Sequence, residues 1–264
     1  MNILTKRNEL LKVELDRERV EVEGEGVVFW KKGREYRAVG SEEYLEIEGE
    51  KTTRIHLFRK IEDVLVIGDR IYLVGDRWIE YLERSKLVKE REFAEKIVGV
   101  GVFEEMIVVL QQERLLVLDR RLKDVGRTRI SVRYPEKLLI TEDKIMGILS
   151  ATEKTVFLFT TSGSEIKKIR TEGRPSAFAV FKENGETYVA VAHGTKIRVE
   201  GVTRSFEREA ETDHVTGIFE VKYSEKDKAI YSASKEGIVC RTELERGDGE
   251  AVYVESAGIE KIDV

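Results

Sequence analysis

Short apolar segments separated by turn residues run the length of the chain, and the same order of segments returns with a period of about 39 residues. The first segment of each period carries little charge: VVFW at 27–30, VLVIG at 64–68, VGVGVF at 98–103, KLLIT at 137–141 and AFAVF at 177–181. The second adds small residues and ends in a turn, as in IYLVGD at 71–76, MIVVLQQ at 106–112, TYVAVAHG at 187–194 and AIYSASKEG at 229–237. The third is moderately apolar (RWIEYL at 77–82, RLLVLD at 114–119, TVFLFT at 155–160). The fourth alternates charged with apolar positions: TRIHLFRK at 53–60, KLVKEREF at 86–93 and EIKKIRT at 165–171.

Each segment has strand length, and turn residues recur every 8–12 positions, which predicts an all-β chain. No stretch keeps apolar residues at i, i+3, i+4 and i+7 for three turns, so helices should be few. The four segments of a period predict one four-stranded antiparallel blade. A first strand covered on both faces should be continuously apolar. A fourth strand, half wet and at an edge, should alternate and carry charges that discourage pairing with another chain.

The first-strand positions fall near Val27, Val64, Val98, Leu138, Ala177, Gly217 and Ile259, at spacings of 37, 34, 40, 39, 40 and 42. The seventh of these strands lies within a few residues of Val264, so the rest of its blade must come from residues 1–26. The expectation is therefore a seven-bladed β-propeller in one domain, 1–264, closed by 257–264 pairing with 1–26. Were residues 1–26 only to cap the ring, the count would be six.

Residues 213–243, DHVTGIFEVKYSEKDKAIYSASKEGIVCRTE, resemble a degenerate WD-repeat. In that family a His opening the blade, a Ser or Thr of the second strand, an Asp in the following turn and a Trp of the third strand share a hydrogen-bonded network. Here the resemblance places His214, Ser232 or Ser234, and Glu236 in three of those roles, with Thr242 where the Trp would stand. Weaker matches occur at 148–160 and 189–199, and no Trp-Asp dipeptide occurs. The resemblance implies a propeller and, since most members are docking platforms, a role in holding partners rather than in catalysis. Fold does not fix function.

Composition adds three points. At 264 residues and 41% apolar, seven blades would use the whole chain and leave no room for a second domain. A charged fraction of 37% with only three Asn and two Gln is the balance of a thermophile's protein. A single cysteine, Cys240, excludes an internal disulfide; with no signal peptide and no apolar run of 18 residues, a soluble, cytoplasmic protein is expected.

Candidate chemistry is sparse. His56, His193 and His214 lie in different blades with no metal-ligand spacing, so no metal is expected. His56 should face solvent, and His193 should be a plain turn residue. GEG at 24–26 and GVG at 99–101 lack a third glycine and a following helix, so no phosphate loop and no cofactor is expected. Carboxylates abound without a pairing that marks an acid/base couple. The expected protein is not an enzyme.

Charge distribution carries the remaining signal. Residues 14–25 hold six acids against two bases, and 42–50 hold five acids and no base. Residues 119–133, DRRLKDVGRTRISVR, hold Arg120, Arg121, Lys123, Arg127, Arg129 and Arg133 against two aspartates, a local net of +4 in the fourth blade counting the closing one as first. Either this is a solvated edge laced with ion pairs, or it docks a structured RNA, a ribosomal particle or an acidic protein, in which case binding falls steeply with salt. Tyr134, between Arg133 and Pro135, and Arg174, before Pro175, sit in loops between blades, where propellers meet partners. The expected function is a non-catalytic interaction platform for other proteins in a cytoplasmic complex. The alternative is a nucleoprotein-associated factor that uses 120–133, and a propeller enzyme with a channel-mouth site ranks last.

Overall fold

The computed structural model describes residues 1–15, 19–25, 27–32, 36–49, 52–83, 86–243, 249–256 and 258–264. Residues 26 and 257 of the expected closing blade, 16–18 of the first acidic run and 50 of the second lie outside the described residues. The described residues form seven four-stranded antiparallel sheets and no α-helix, the arrangement of a seven-bladed β-propeller. None of them forms a helix long and apolar enough to cross a membrane.

The closing sheet has the order β28-β1-β2-β3, built from Ile259–Asp263, Asn2–Thr5, Leu10–Glu14 and Arg19–Gly24. The second holds β4–β7 (Phe29–Lys32, Arg37–Gly40, Tyr44–Glu48, Thr53–His56), the third β8–β11 (Asp63–Ile67, Arg70–Val74, Trp78–Glu83, Lys86–Glu92). The fourth holds β12–β15 (Gly99–Phe103, Met106–Leu110, Arg114–Leu118, Asp124–Arg129) and the fifth β16–β19 (Lys137–Ile140, Ile145–Ser150, Thr155–Thr160, Glu165–Arg170). The sixth and seventh hold β20–β23 (Pro175–Glu183, Glu186–His193, Lys196–Gly201, Glu207–Glu211) and β24–β27 (Ile218–Ser224, Ala229–Ser234, Ile238–Glu243, Gly249–Val254).

Closure occurs where the register places it: β1 pairs with β28 through Asn2↔Asp263, Ile3↔Ile262 and Leu4↔Lys261. Ile3 and Ile262 are both fully buried, so the joint is apolar as well as hydrogen-bonded. Each fully buried aliphatic side chain contributes roughly 1.5–3 kcal/mol.

By contact the chain divides into two compact units, Met1–Glu25 with Ile145–Val264, and Gly26–Lys144. In the second unit one cluster joins Leu45, Ile47 and Ile55 to Leu73, Trp78 and Leu82, and another joins Tyr72, Val74 and Ile79 to Ile107, Leu116 and Leu118. The first unit has a cluster of Ala and Val with Phe181 and Tyr188, and a second around Ile3, Tyr231 and Ile262. In each cluster alternate residues of one sheet interlock with those of the next, as the period-two pattern requires.

The burial gradient differs from the sequence expectation. Residues of β13, β17, β18, β21 and β25 are almost all buried, whereas β12 and β16 are half-buried to exposed. The first strand stands at one edge of its sheet and lacks a lateral neighbour, while the second and third are flanked on both sides. Small residues in the first strand answer a different demand. A Cβ on Gly99 would lie 2.9 Å from Leu138 Cβ, so β12 is thinned where β16 approaches it. The fourth strands behave as expected: β11, β15 and β19 are largely exposed.

Candidate functional site

The basic segment begins where β14 stops. Asp119 Oδ1 accepts hydrogen bonds from the backbone N–H groups of Arg121 (2.7 Å) and Lys123 (2.9 Å), folding the chain into a tight turn. Burial alone would raise the Asp119 pKa, but those two N–H groups and the nearby lysines hold it below its ordinary value. Leu122 sits at φ 58° with its side chain buried in the cluster below. Three successive carbonyls of the turn then face cations and a hydroxyl of the β8–β11 sheet. Arg120 O accepts from Tyr72 Oη and Arg70 Nη1, both at 2.9 Å, Arg121 O from Lys89 Nζ at 2.9 Å, and Leu122 O from Arg91 Nη1 at 2.8 Å. Arg91 also grips both oxygens of Asp124, at 2.9 and 3.1 Å. The backbone of residues 119–124 is thus clamped at every step.

The side chains of the segment divide into two groups. Arg120 is half-buried and pairs with Glu105, and Arg129 lies 3.5 Å from Glu113. Arg121, Lys123 and Arg127 are exposed and make no ion pair among the described residues. Arg127 and Arg129 share one face of β15, opposite Leu116 and Arg114 in the ladder. The solvated-edge reading therefore accounts for Arg120 and in part Arg129, and leaves Arg121, Lys123 and Arg127 without an ion pair among the described residues.

Beyond β15 the chain makes a ledge. Ile130 N–H donates to Glu113 O at 3.0 Å and Val132 is buried, which pins the connector to the β13–β14 turn. Arg133 and Tyr134 project outward, and Pro135 is buried again. Tyr134 is 64% exposed and adopts φ 50°, a left-handed conformation uncommon for an aromatic residue. Arg129, Arg133 and Tyr134 border a pocket of about 510 Å³ that Gln112 and Glu113 also line. Arg174 belongs to the other compact unit, where it is exposed ahead of the buried Pro175 that opens β20.

The histidines take distinct roles. His56 is exposed on β7, as expected. His193 is no simple turn residue: it ends β21, is buried, and holds Nε2 3.1 Å from the Glu209 carboxylate. A turn-like sequence, AHGTK, concealed this because the strand runs up to the glycine. His214 is buried, with Nε2 2.9 Å from Ser232 Oγ. Ser232, rather than Ser234, is the partner; Ser234 Oγ donates weakly to Ile238 O at 3.4 Å. Glu236 accepts the N–H groups of Val215 and Thr216 at 3.1 and 2.8 Å, so it ties down the loop after His214. Thr242 is buried opposite Ile230 in the ladder, and Cys240 is fully buried, its thiol pushed up to about 11 by burial. No group of three His, Cys, Asp or Glu among the described residues is placed to hold a metal ion.

One surface went unread in the sequence. On β7 and just beyond it, Arg54, His56 and Phe58 project in series. The Arg54 guanidinium lies 4.3 Å from the Tyr44 ring, Tyr44 meets His56 edge-on at 4.9 Å, and His56 meets Phe58 at 4.7 Å. Arg59 lies 4.3 Å over Trp78 and bridges to Glu80 and Glu90. The period-two spacing of Arg54, His56 and Phe58 was the available signal; Tyr44 and Trp78 come from other strands.

No protein-family model matches the chain, and no curated protein matches it. Among solved structures it is similar to the dihydro-heme d1 dehydrogenase NirN in complex with DHE, with a TM-score of 0.70 at 12% identity, covering 94% of this chain and 61% of that one. It is also similar to Hsv2 of Kluyvelomyces marxianus, with a TM-score of 0.66 at 12% identity, covering 90% of this chain and 82% of that one. The chain thus spans about 61% of the length of the NirN chain. At such identities these likenesses show the fold and no more.

Proposed function

We propose that this chain is a non-catalytic interaction platform of WD-repeat-like character, and that it docks another protein at the ledge formed by Arg129, Arg133 and Tyr134. The observation that carries this reading is Tyr134. A non-glycine residue held at positive φ costs of order 1 kcal/mol or more, and such strain clusters at active sites, ligand clamps and switch regions; of the nine such residues described, Tyr134 is the aromatic one. Here the strained backbone turns an aromatic ring into solvent beside guanidinium groups and above a pocket. Exposed Tyr and Arg on a fixed backbone are the side chains that dominate binding energy at interfaces.

The buried polar groups support a platform too. His214 and Ser232 bond each other, and His193 faces Glu209, so each serves its own blade. The test is affinity purification from the source cells after nuclease treatment. A protein partner should remain bound and be lost with Tyr134→Ala and Arg133→Glu. Retention by both variants would refute the ledge as the docking site.

Contact with structured RNA through the basic segment is a second reading, favoured by the exposed cations Arg121, Lys123 and Arg127, which make no ion pair among the described residues. It predicts loss of the partner on nuclease treatment and a steep fall in affinity with salt. Reversing Arg121 and Arg127 to Glu should then weaken binding while Tyr134→Ala does not.

A further inference from the structure

We propose that the open edge of β7 is a second docking site, one that takes an extended acidic segment of a partner protein as a fifth strand. Three observations carry it. The first is the edge itself. Leu57 N–H donates to Glu43 O at 2.7 Å, and Ile55 pairs with Leu45 in the ladder. Antiparallel alternation then turns the amides and carbonyls of Thr53, Ile55 and Leu57 toward β6 and those of Arg54 and His56 outward. Strand addition to such an edge draws affinity from the main chain and specificity from alternate side-chain pockets.

The second observation is a groove of about 380 Å³ beside that edge, lined by Phe58, Arg59, Trp78, Leu82 and Leu87 among others. Phe58 is 89% exposed, the most exposed large apolar side chain described, and Leu87 beside the groove is also exposed. Apolar side chains of an added strand would find cover there.

The third observation is charge. Arg54, His56 and Arg59 line the groove; Glu80 is the only acid among its described lining residues, and Arg59 is already engaged by both Glu80 and Glu90, which leaves Arg54 as the cation of the lining without an ion pair among the described residues. Glu46 stands opposite Arg54 in the ladder, yet the guanidinium lies over Tyr44 and makes no ion pair among the described residues. The Arg54 guanidinium selects an acidic side chain, and the charges on β7 guard this short edge against indiscriminate pairing. The site is independent of the ledge at Tyr134.

The test is fluorescence anisotropy with a labelled synthetic peptide that alternates glutamate with valine or leucine. The expected result is saturable binding, weakened about tenfold by Phe58→Ala and by Arg54→Glu. A peptide with lysine in place of glutamate should not bind. His56→Pro should abolish binding, since it removes an outward N–H and leaves the β6 ladder whole, and its thermal midpoint should stay close to that of the parent. Amide exchange at Arg54 and His56 should slow when the peptide is present. Should His56→Pro disturb folding, Arg54→Glu and the exchange data decide alone. The proposal is overturned if the lysine peptide binds as well as the acidic one, if neither peptide slows exchange on β7, or if a folded His56→Pro binds like the parent. It is equally overturned if a single-stranded uridine oligonucleotide binds with the same dependence on Phe58 and Arg54 while the acidic peptide does not.

Discussion

His214 Nε2 and Ser232 Oγ share a 2.9 Å hydrogen bond inside the β24–β27 blade, joining the entry loop of the blade to its second strand. Both residues are buried, so removing either leaves the other without its partner. Ser232→Ala should lower unfolding stability by about 1–3 kcal/mol, and His214→Ala by at least as much. Urea titration followed by circular dichroism measures both.

The same pair makes stability depend on pH. Burial holds the His214 imidazole below its ordinary 6.5, against the pull of the Glu236 and Asp213 carboxylates. The unfolded chain takes up this proton near 6.5, and the folded chain only at lower pH. Between those values the unfolded state binds more protons, so acid favours unfolding. The contribution is complete above 6.5 and is lost as pH falls toward the depressed folded value. Urea midpoints at about pH 7.5 and about pH 5 should differ more for the parent than for His214→Asn. Equal differences would contradict a buried neutral imidazole.

Tyr134 should trade affinity against strain. Tyr134→Gly removes the penalty of positive φ, so stability should stay level or rise by up to about 1 kcal/mol. Partner binding at the ledge should weaken in the same variant. A loss of stability comparable to that of a core substitution would mean that the ring packs on the protein.

Two glycines of β12 separate backbone crowding from side-chain crowding. A Cβ on Gly99 meets Leu138 Cβ at 2.9 Å and Leu138 N at 3.3 Å, whereas the three atoms nearest to one on Gly101 all belong to the side chain of Ile140. Gly99→Ala should therefore cost about 1–3 kcal/mol and Gly101→Ala distinctly less, by thermal or urea denaturation.

Cys240 should be inert in the folded protein. It is fully buried and its thiol is pushed up to about 11, so iodoacetamide should modify it only at the rate of unfolding. Rapid labelling of the native protein would contradict this placement.

The strands were legible because alternation and turn residues are local properties. The segment KLVKEREF contains the edge strand β11, and MIVVL is the buried β13, as written in the sequence. The closing pair β1–β28 was legible because the last period breaks off where the first residues resume it. Burial was less legible. Gly99 and Val100 read as core, yet β12 is only half-covered, since coverage depends on lateral neighbours that a single period does not reveal. In the candidate site, sequence located the charges of 119–133 but missed the clamp on their backbone, because Tyr72, Lys89 and Arg91 belong to another sheet. The Tyr44, His56, Phe58 series was hidden for the same reason.

The pairing of Asn2 with Asp263 also fixes how the protein yields to a pull. The antiparallel bonds of β1 and β28 run across the strands, and the two ends of the chain lie side by side at one end of that ladder. Tension applied between Asn2 and Asp263 meets these bonds in succession and opens the joint like a zipper, whereas tension applied along β1 from Thr5 would have to shear them together. The molecule is therefore mechanically soft in one direction and stiff in another.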